Sequence, residues 1–304
     1  MKWSTLLAPV LVVSGMAAEP VELRVDRVPI RPPEAEVREL LSVVCPGKVD
    51  GYRDNKSLPE EVNAASRGFF GCQSCPDFTN PPLNSAWQAE AIHYGHFTAA
   101  DADEAAVATG GCESHVDQWG GTVLFARSGG TWHMKWYQAS LITSDCLQVR
   151  RRDGRDMLVC EDNDAHQAVL THILSVVDLS RHERFRQDGI LRLTENPETC
   201  GANWTVADDN TIYPVQVANF RRIAFVAEPR PRLEISVEYG WLVLAAAEQS
   251  ACLAAVRKPQ PTPAALRPAT KTYHLEFGFD GERFELRDQD VAASKLVETY
   301  PPVR

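Results

Sequence analysis

The chain has 304 residues, 44% hydrophobic and 24% charged, with 31 Lys and Arg set against 41 Asp and Glu for a net charge of −10. These proportions exclude disordered, collagen-like and membrane-spanning classes, and an acidic balance with scattered basic residues gives a nucleic-acid partner no electrostatic support. The length suffices to bury a substantial core in one large domain or two ordinary ones.

At the start, Lys2 precedes an apolar run from Trp3 to Val13, and the small residues Ser14, Gly15, Ala17 and Ala18 follow before Glu19-Pro20. That is the pattern of a secretory signal peptide over residues 1–18. It is too short for a membrane span, which takes about 20 apolar residues. The mature chain is therefore expected to be secreted or periplasmic, with no membrane span after cleavage. An extended entry through Pro20, Pro29, Pro32 and Pro33 comes next. Val37, Leu40, Leu41 and Val44 then recur at i, i+3, i+4 and i+7, which predicts a helix over 34–44 with one buried face.

Eight cysteines in an exported chain predict disulfides. Cys45, Cys72, Cys75 and Cys112 form an N-terminal set whose pairing spacing alone does not decide. Cys72-Gln-Ser-Cys75 and Cys112-Glu-Ser-His115 share the spacing of a zinc knuckle, so Cys72, Cys75, Cys112 and His115 offer a Cys₃His site as the competing reading. A redox-active Cys72/Cys75 pair is a further alternative. Pro76 stands where a haem-attachment motif needs histidine, which excludes a c-type cytochrome. His93 and His96 are three apart, and on a strand such residues face opposite sides, so they read as a surface pair rather than joint ligands.

Thr122 to Ala126 and Trp132 to Trp136 flank Ser128-Gly129-Gly130 and read as a hairpin with Leu124 opposite Met134 and Ala126 opposite Trp132. Trp132, Trp136 and Tyr137, with Trp87 and Trp119 nearby, are either sheet core or an aromatic platform for a sugar-like ligand. From Cys146 to Cys160, two strands surround Arg152-Asp153-Gly154. Their register sets Leu147 against Val159, Val149 against Met157, Gln148 against Leu158, and Cys146 against Cys160. Directly opposed residues suit a disulfide, so this bridge is predicted. Arg150, Arg151, Arg152 and Arg155 cluster at the turn, either as an anion-gripping patch or as a solvated tip partly neutralised by Asp153 and Asp156.

Gln167 to Val177 reads as strand or helix, and periodicity does not choose. Cys200 and Cys252 are left as the remaining disulfide pair. Arg222 to Val226 and Leu233 to Tyr239 predict strands joined at Pro229-Arg230-Pro231, with Trp241 to Leu244 starting another. The prolines 259, 261, 263 and 268 mark residues 259–270 as a linker or surface loop. Tyr273 to Phe279 alternates, turns at Asp280-Gly281 and returns, pairing Phe277 with Phe284 and Leu275 with Leu286. The expected organisation is a signal peptide at 1–18, a mainly β domain at 19–258, the Pro-rich segment at 259–270 and a C-terminal hairpin segment at 271–304.

Gly95-His96-Phe97-Thr98, the acidic stretch Asp101-Ala102-Asp103-Glu104-Ala105, and Gly120-Gly121-Thr122-Val123-Leu124-Phe125 together resemble FG-GAP or VCBS-type β-propeller repeats. A poorer echo runs through Asp153-Gly154-Arg155-Asp156 into Met157 to Cys160. The resemblance implies an extracellular adhesion or ligand-binding scaffold, with calcium held at Asp101, Asp103 and Glu104. An ordinary solvated acidic turn is the alternative, since Ala105 and Ala106 follow where further oxygen ligands would be needed. Glu161-Asp162-Asn163-Asp164 is a second stretch of the same kind.

The chain carries no Gly-x-Ser-x-Gly elbow, no His-Glu-x-x-His helix, no Walker loop and no Rossmann fingerprint. The sequence thus predicts a mainly β, disulfide-stabilised protein of antiparallel hairpins, propeller-like or sandwich, with an N-terminal helix. Its expected role is to bind an extracellular ligand or surface component, or to serve as a structural scaffold, with no cofactor required. A secreted hydrolase acting on carbohydrate or ester, and a zinc-site metalloprotein, are the alternatives. A hydrolase would need a concave pocket holding a carboxylate pair or a nucleophile with histidine.

Overall fold

In the computed structural model the described residues are 21–23, 34–47, 49–51, 70–80, 87–114, 120–166, 169–180, 186–195, 215–242 and 269–287. The signal segment, His115, Trp119, Cys200, Cys252 and nearly all of the Pro-rich segment lie outside them.

Helix α1 (Glu34–Val44) follows the predicted spacing, burying Val37, Leu40 and Leu41. All the strands pair antiparallel, as consecutive hairpins dictate. They are β1 (Val21–Leu23), β2 (Val49–Gly51), β3 (Phe70–Cys72), β4 (Trp87–Gly95), β5 (Glu104–Gly110), β6 (Gly120–Ser128), β7 (Thr131–Ala139), β8 (Cys146–Arg150), β9 (Asp156–His166), β10 (Val169–Asp178), β11 (Arg186–Glu195), β12 (Val215–Val226), β13 (Arg232–Leu242), β14 (Lys271–Phe279) and β15 (Phe284–Leu286). Three four-stranded meanders succeed one another, β4 to β7, β8 to β11 and β12 to β15. Strands β2 and β3 extend the first sheet at its β4 edge, and β1 adds to the third beside β12. The C-terminal hairpin completes the third sheet, with β14 pairing against β13.

Side-chain alternation explains how the sheets stack. In β9, Leu158 and Cys160 face a core shared with Ala106, Leu124 and Trp136 of the first sheet, while Met157 and Val159 face a core shared with Phe220, Ile235 and Phe277 of the third. A strand covered on both faces needs no polar side, which is why Met157-Leu158-Val159-Cys160 is continuously apolar. The ends of the stack are capped differently. On the first sheet, α1 and the Cys45–Cys72 bridge close over Val107, Val123 and Phe125. On the third, the outer face carries the ion pairs Arg222–Glu234, Arg232–Glu276 and Arg287–Glu276. A charged face of this kind ends a stack rather than inviting another layer.

Several sequence expectations are met and several need correction. The predicted Cys146 to Cys160 register is the observed one, pair for pair, and Gly154 is left-handed at φ +83°. The β6–β7 register differs by one near the turn. Gly129 and Gly130 are both left-handed, at φ +60° and +83°, so they form a two-residue loop that sets Ser128 opposite Thr131 and Phe125 opposite Met134. Lys135 then bulges, and Leu124 meets Trp136. In the last hairpin the Asp280 carboxylate accepts from the N–H groups of Glu282 and Arg283, at 2.7 and 2.8 Å. That side chain stretches the turn to four residues and shifts the pairing by two, to Phe279 with Phe284 and Phe277 with Leu286. Trp241 continues β13 instead of starting a strand, and the ambiguous Gln167 to Val177 region is β10.

Gly95 sits at the seam between the first two sheets. A Cβ there would lie 2.6 Å from Asp156 Oδ2 and 3.2 Å from the Phe97 ring. Asp156 cannot yield, because its carboxylate accepts the His96 N–H at 2.7 Å and pairs with Arg150 at 2.8 Å. Gly95→Ala is expected to cost about 1–3 kcal/mol, the usual range for forced overpacking. A urea titration of the purified variant measures it, and an unchanged midpoint would show that the seam is soft.

Candidate functional site

A cleft of about 280 Å³ opens where the first and second sheets meet. One wall is Glu90 on β4 with Thr109, Gly110, Gly111 and Gly120 of the β5–β6 turn region. The other is Ile142, Ser144 and Asp145 of the β7–β8 connection with Glu161, Asp162 and Asn163 on β9. Among the described lining residues there is no Lys, Arg, His or aromatic side chain.

Local backbone features build this geometry. Glu90 is the extra residue of a bulge, since Ala89 pairs with Thr109 and Ala91 with Ala108. Bulges re-aim a side chain out of the ladder, and here the carboxylate lies over Gly110, whose missing Cβ would otherwise fall 2.1 Å from Glu90 Oε1. Gly120 likewise leaves room for the Thr109 carbonyl, which a Cβ would approach to 2.1 Å.

The opposite wall is pinned at several points. Thr122 Oγ1 donates to the Leu141 carbonyl at 2.6 Å and bonds Thr143 Oγ1 at 2.8 Å. His93 Nε2 donates to the Thr143 carbonyl at 2.8 Å, and burial holds the imidazole below its ordinary pKa, in its neutral form. The Glu161 N–H donates to the Asp145 carbonyl at 2.9 Å, and the Cys146–Cys160 disulfide joins the residues adjoining both.

The electrostatics follow from crowding carboxylates into one partly desolvated cleft, with Glu161 buried, Glu90 half-buried and Asp145 more open to solvent. Burial raises the Glu90 pKa, and the Asp145 charge adds to it. Burial raises Asp145 as well, with Glu161 adding to it. Glu161 is compensated from behind. His172 Nδ1 on β10 bonds its Oε1 at 3.3 Å, and His172 Nε2 faces Glu195 Oε1 on β11 at 3.5 Å. Burial alone would lower the His172 pKa, but hydrogen bonds and charge from Glu161 and Glu195 outweigh it and hold the group at about 9. His172 is therefore an imidazolium at neutral pH, bridging three neighbouring strands.

The residues singled out from sequence fall elsewhere, with one exception. Cys45 bonds Cys72 and Cys75 bonds Cys112, which corrects the zinc and redox-pair alternatives, because Cys72, Cys75 and Cys112 have no thiol left to ligate a metal with His115, and Cys72 and Cys75 each have a different partner. Glu104 is fully buried, accepting from Thr98 N at 2.8 Å, Thr98 Oγ1 at 2.6 Å and Lys135 Nζ at 2.9 Å, while Asp101 and Asp103 point to solvent. The three do not converge on a calcium ion. Among the described residues no three His, Cys, Asp or Glu side chains gather closely enough to hold a metal.

Trp132 and Trp136, 6% and 8% exposed, are on opposite faces of the first sheet because the Lys135 bulge breaks their alternation. With Tyr137, whose hydroxyl donates to Glu113 at 2.8 Å, they form core instead of one stacking platform. The arginine cluster is engaged by protein groups: Arg150 by Asp156, Arg151 by Asp178, Arg155 by Asp153, and Arg152 by the Asp280 carbonyl. The exception is the acidic stretch at Glu161 to Asp164, whose first three residues line the cleft. Glu90, Asp145, His172 and Glu195 carry no local signature, and only the glycine pairs 110–111 and 120–121 hint at a close approach.

No family model matches the chain, and neither a curated protein nor a solved structure matches it.

Proposed function

We propose that this is an exported, disulfide-stapled ligand-binding protein whose acidic cleft takes a small organic cation carrying primary ammonium or guanidinium groups. One observation carries the reading. Glu90, Asp145, Glu161 and Asp162 line one concavity with no basic residue among the described lining, and two of the carboxyls are held above their usual pKa by desolvation and by a neighbouring charge, Asp145 acting on Glu90 and Glu161 on Asp145. A cation entering the cleft offsets that repulsion.

The chemistry of the walls narrows the guest. The carboxylates do not converge as metal ligands, which disfavours a bare ion. The described lining has no aromatic side chain and so offers no cage for a quaternary ammonium. Carboxylates, Thr109 and Ser144 are acceptors for N–H donors. The volume lies at the lower end of small-molecule sites, which suits a guest the size of a diamine. Ligand binding is also the role that the resemblance of residues 95–125 to FG-GAP or VCBS-type repeats implies.

The test is calorimetric titration with 1,4-diaminobutane and agmatine, with choline and Ca²⁺ as controls. The amines are expected to bind and the controls not. Glu90→Gln is expected to weaken amine binding about 10- to 100-fold, the range for losing one charge-assisted hydrogen bond. The same substitution is expected to raise the unliganded stability by about 1 kcal/mol, because it removes a repelled charge. Affinity is expected to fall on acidification at a pH above the ordinary carboxylate range, since both raised carboxyls take up protons there. No heat with either amine would end the reading. A carboxyl pair that keeps a proton also suits glycoside cleavage, so turnover of a panel of 4-nitrophenyl glycosides, lost in Glu90→Gln, would put a hydrolase in its place.

A further inference from the structure

We propose that the Cys75–Cys112 disulfide is a redox-sensitive clamp on the cleft, closed when oxidised and released by a dithiol reductant. The proposal adds a regulation to the cleft and rests on that cleft being the ligand site.

The argument begins with what this bridge holds. Cys112 directly follows Gly110 and Gly111, which form part of the cleft wall. Gly111 and Cys112 are both left-handed, at φ +82° and +42°. A left-handed backbone is unfavourable for any residue with a Cβ, so the turn needs an external restraint at Cys112. The restraint comes from Cys75 in the irregular connection after β3, a segment with no ladder to the β5–β6 turn. A second link between the two segments is the Asn80 N–H to the Glu113 carboxylate, at 3.3 and 3.4 Å.

Position distinguishes this bridge from the other two. Cys45 and Cys72 are both buried, which shields their bond from an incoming thiolate. Cys146 is half-buried too, but it opposes Cys160 within a five-pair strand ladder, whose backbone pairing joins the two strands independently of the bridge. Cys75 is half-buried beside the exposed Gln73 and Ser74, while Cys112 is fully buried. Attack therefore falls on the Cys75 sulfur. One thiolate of the dithiol bonds to Cys75 Sγ as the S–S bond to Cys112 breaks, and Cys112 leaves as a thiolate that takes up a proton. The second thiol then displaces Cys75, giving two protein thiols and an oxidised, cyclic disulfide, a two-electron exchange. Freed, Cys112 relaxes from its left-handed conformation, and Gly110 and Gly111 move with it.

The experiment treats the intact protein with graded dithiothreitol, alkylates it, and maps the modified cysteines. Hydrogen exchange over residues 109–113 and 1,4-diaminobutane affinity are read in parallel. The expected result is that Cys75 and Cys112 are alkylated first, that exchange over 109–113 rises at least 10-fold, and that amine affinity falls at least 10-fold. The double variant Cys75→Ser with Cys112→Ser should reproduce both changes in the absence of reductant. Should that variant not fold, the reduction series on the natural chain decides alone. First opening at Cys45–Cys72 or Cys146–Cys160, or unchanged exchange over 109–113 after Cys75–Cys112 opens, overturns the clamp. Faster exchange in a protein that binds no amine in either state sustains the clamp and removes the ligand reading alone.

Discussion

Replacing His172 with leucine is expected to destabilise the protein by about 3–5 kcal/mol, the cost of breaking a buried ion pair by removing one partner. His172 lies between Glu161 and Glu195 with its side chain 11% exposed, so the variant leaves two buried carboxylates facing an apolar group. The same triad sets a pH dependence whose sign is fixed. The imidazole titrates at about 9 in the folded chain against 6.5 when unfolded. Its contribution is thus complete below about 6.5, shrinks as pH rises through 9, and is gone above that. A shift of that size corresponds to about 3 kcal/mol, or about 10 °C in melting temperature for a chain of this length. Urea titrations at pH 6.5 and pH 10 measure it, and His172→Leu should show little of the difference. A natural chain equally stable at both pH values would mean that the two glutamates do not hold the proton. Changing Glu161 and Glu195 to glutamine in the leucine variant is expected to recover part of the loss, because it removes the orphaned charges.

The reach of the sequence follows the range of the interactions. The β8–β9 hairpin was legible to the residue because Gly154, the alternating apolar partners and the opposed cysteines all demand one register. Helix α1 was legible because one apolar stripe fixes its face. Where a register depends on a side chain reaching into a turn, as Asp280 does, or on a second left-handed glycine, as at Gly129-Gly130, pattern alone gave a neighbouring solution. The bulges at Glu90 and Lys135 were hidden for a related reason. Each serves a contact beyond its own strand, Glu90 over Gly110 on β5 and Lys135 to Glu104 across β6, and no local rule marks it. The cleft joins the Glu90 bulge of the first sheet to Asp145 and Glu161 of the second, so its carboxylates could not be picked from 41 acidic residues beforehand. Pairing among the N-terminal cysteines was open for the same reason, since it depends on α1 docking beside β3 and on the β5–β6 turn meeting the loop after Cys72.

Removing the Cys146–Cys160 bridge by changing both residues to alanine is expected to cost about 3 kcal/mol, because the 14-residue separation frees the unfolded chain by roughly that amount. The folded hairpin keeps its five-pair ladder, so the effect acts largely through the denatured state. That origin has its own signature. The urea m-value should rise along with the drop in midpoint, since an uncrosslinked chain exposes more surface on unfolding. A loss under about 1 kcal/mol with an unchanged m-value would show that the ladder already restrains the unfolded hairpin. The variant also separates stability from the site. Asp145 and Glu161 adjoin the two cysteines and are joined by the Glu161 N–H to Asp145 carbonyl bond at 2.9 Å. If the ladder and that bond suffice to set the two walls, 1,4-diaminobutane affinity at 10 °C, well below the melting point, should stay within about 3-fold of the natural protein. Against the 10-fold loss expected when Cys75–Cys112 opens, that contrast assigns one bridge to stability and the other to the shape of the cleft.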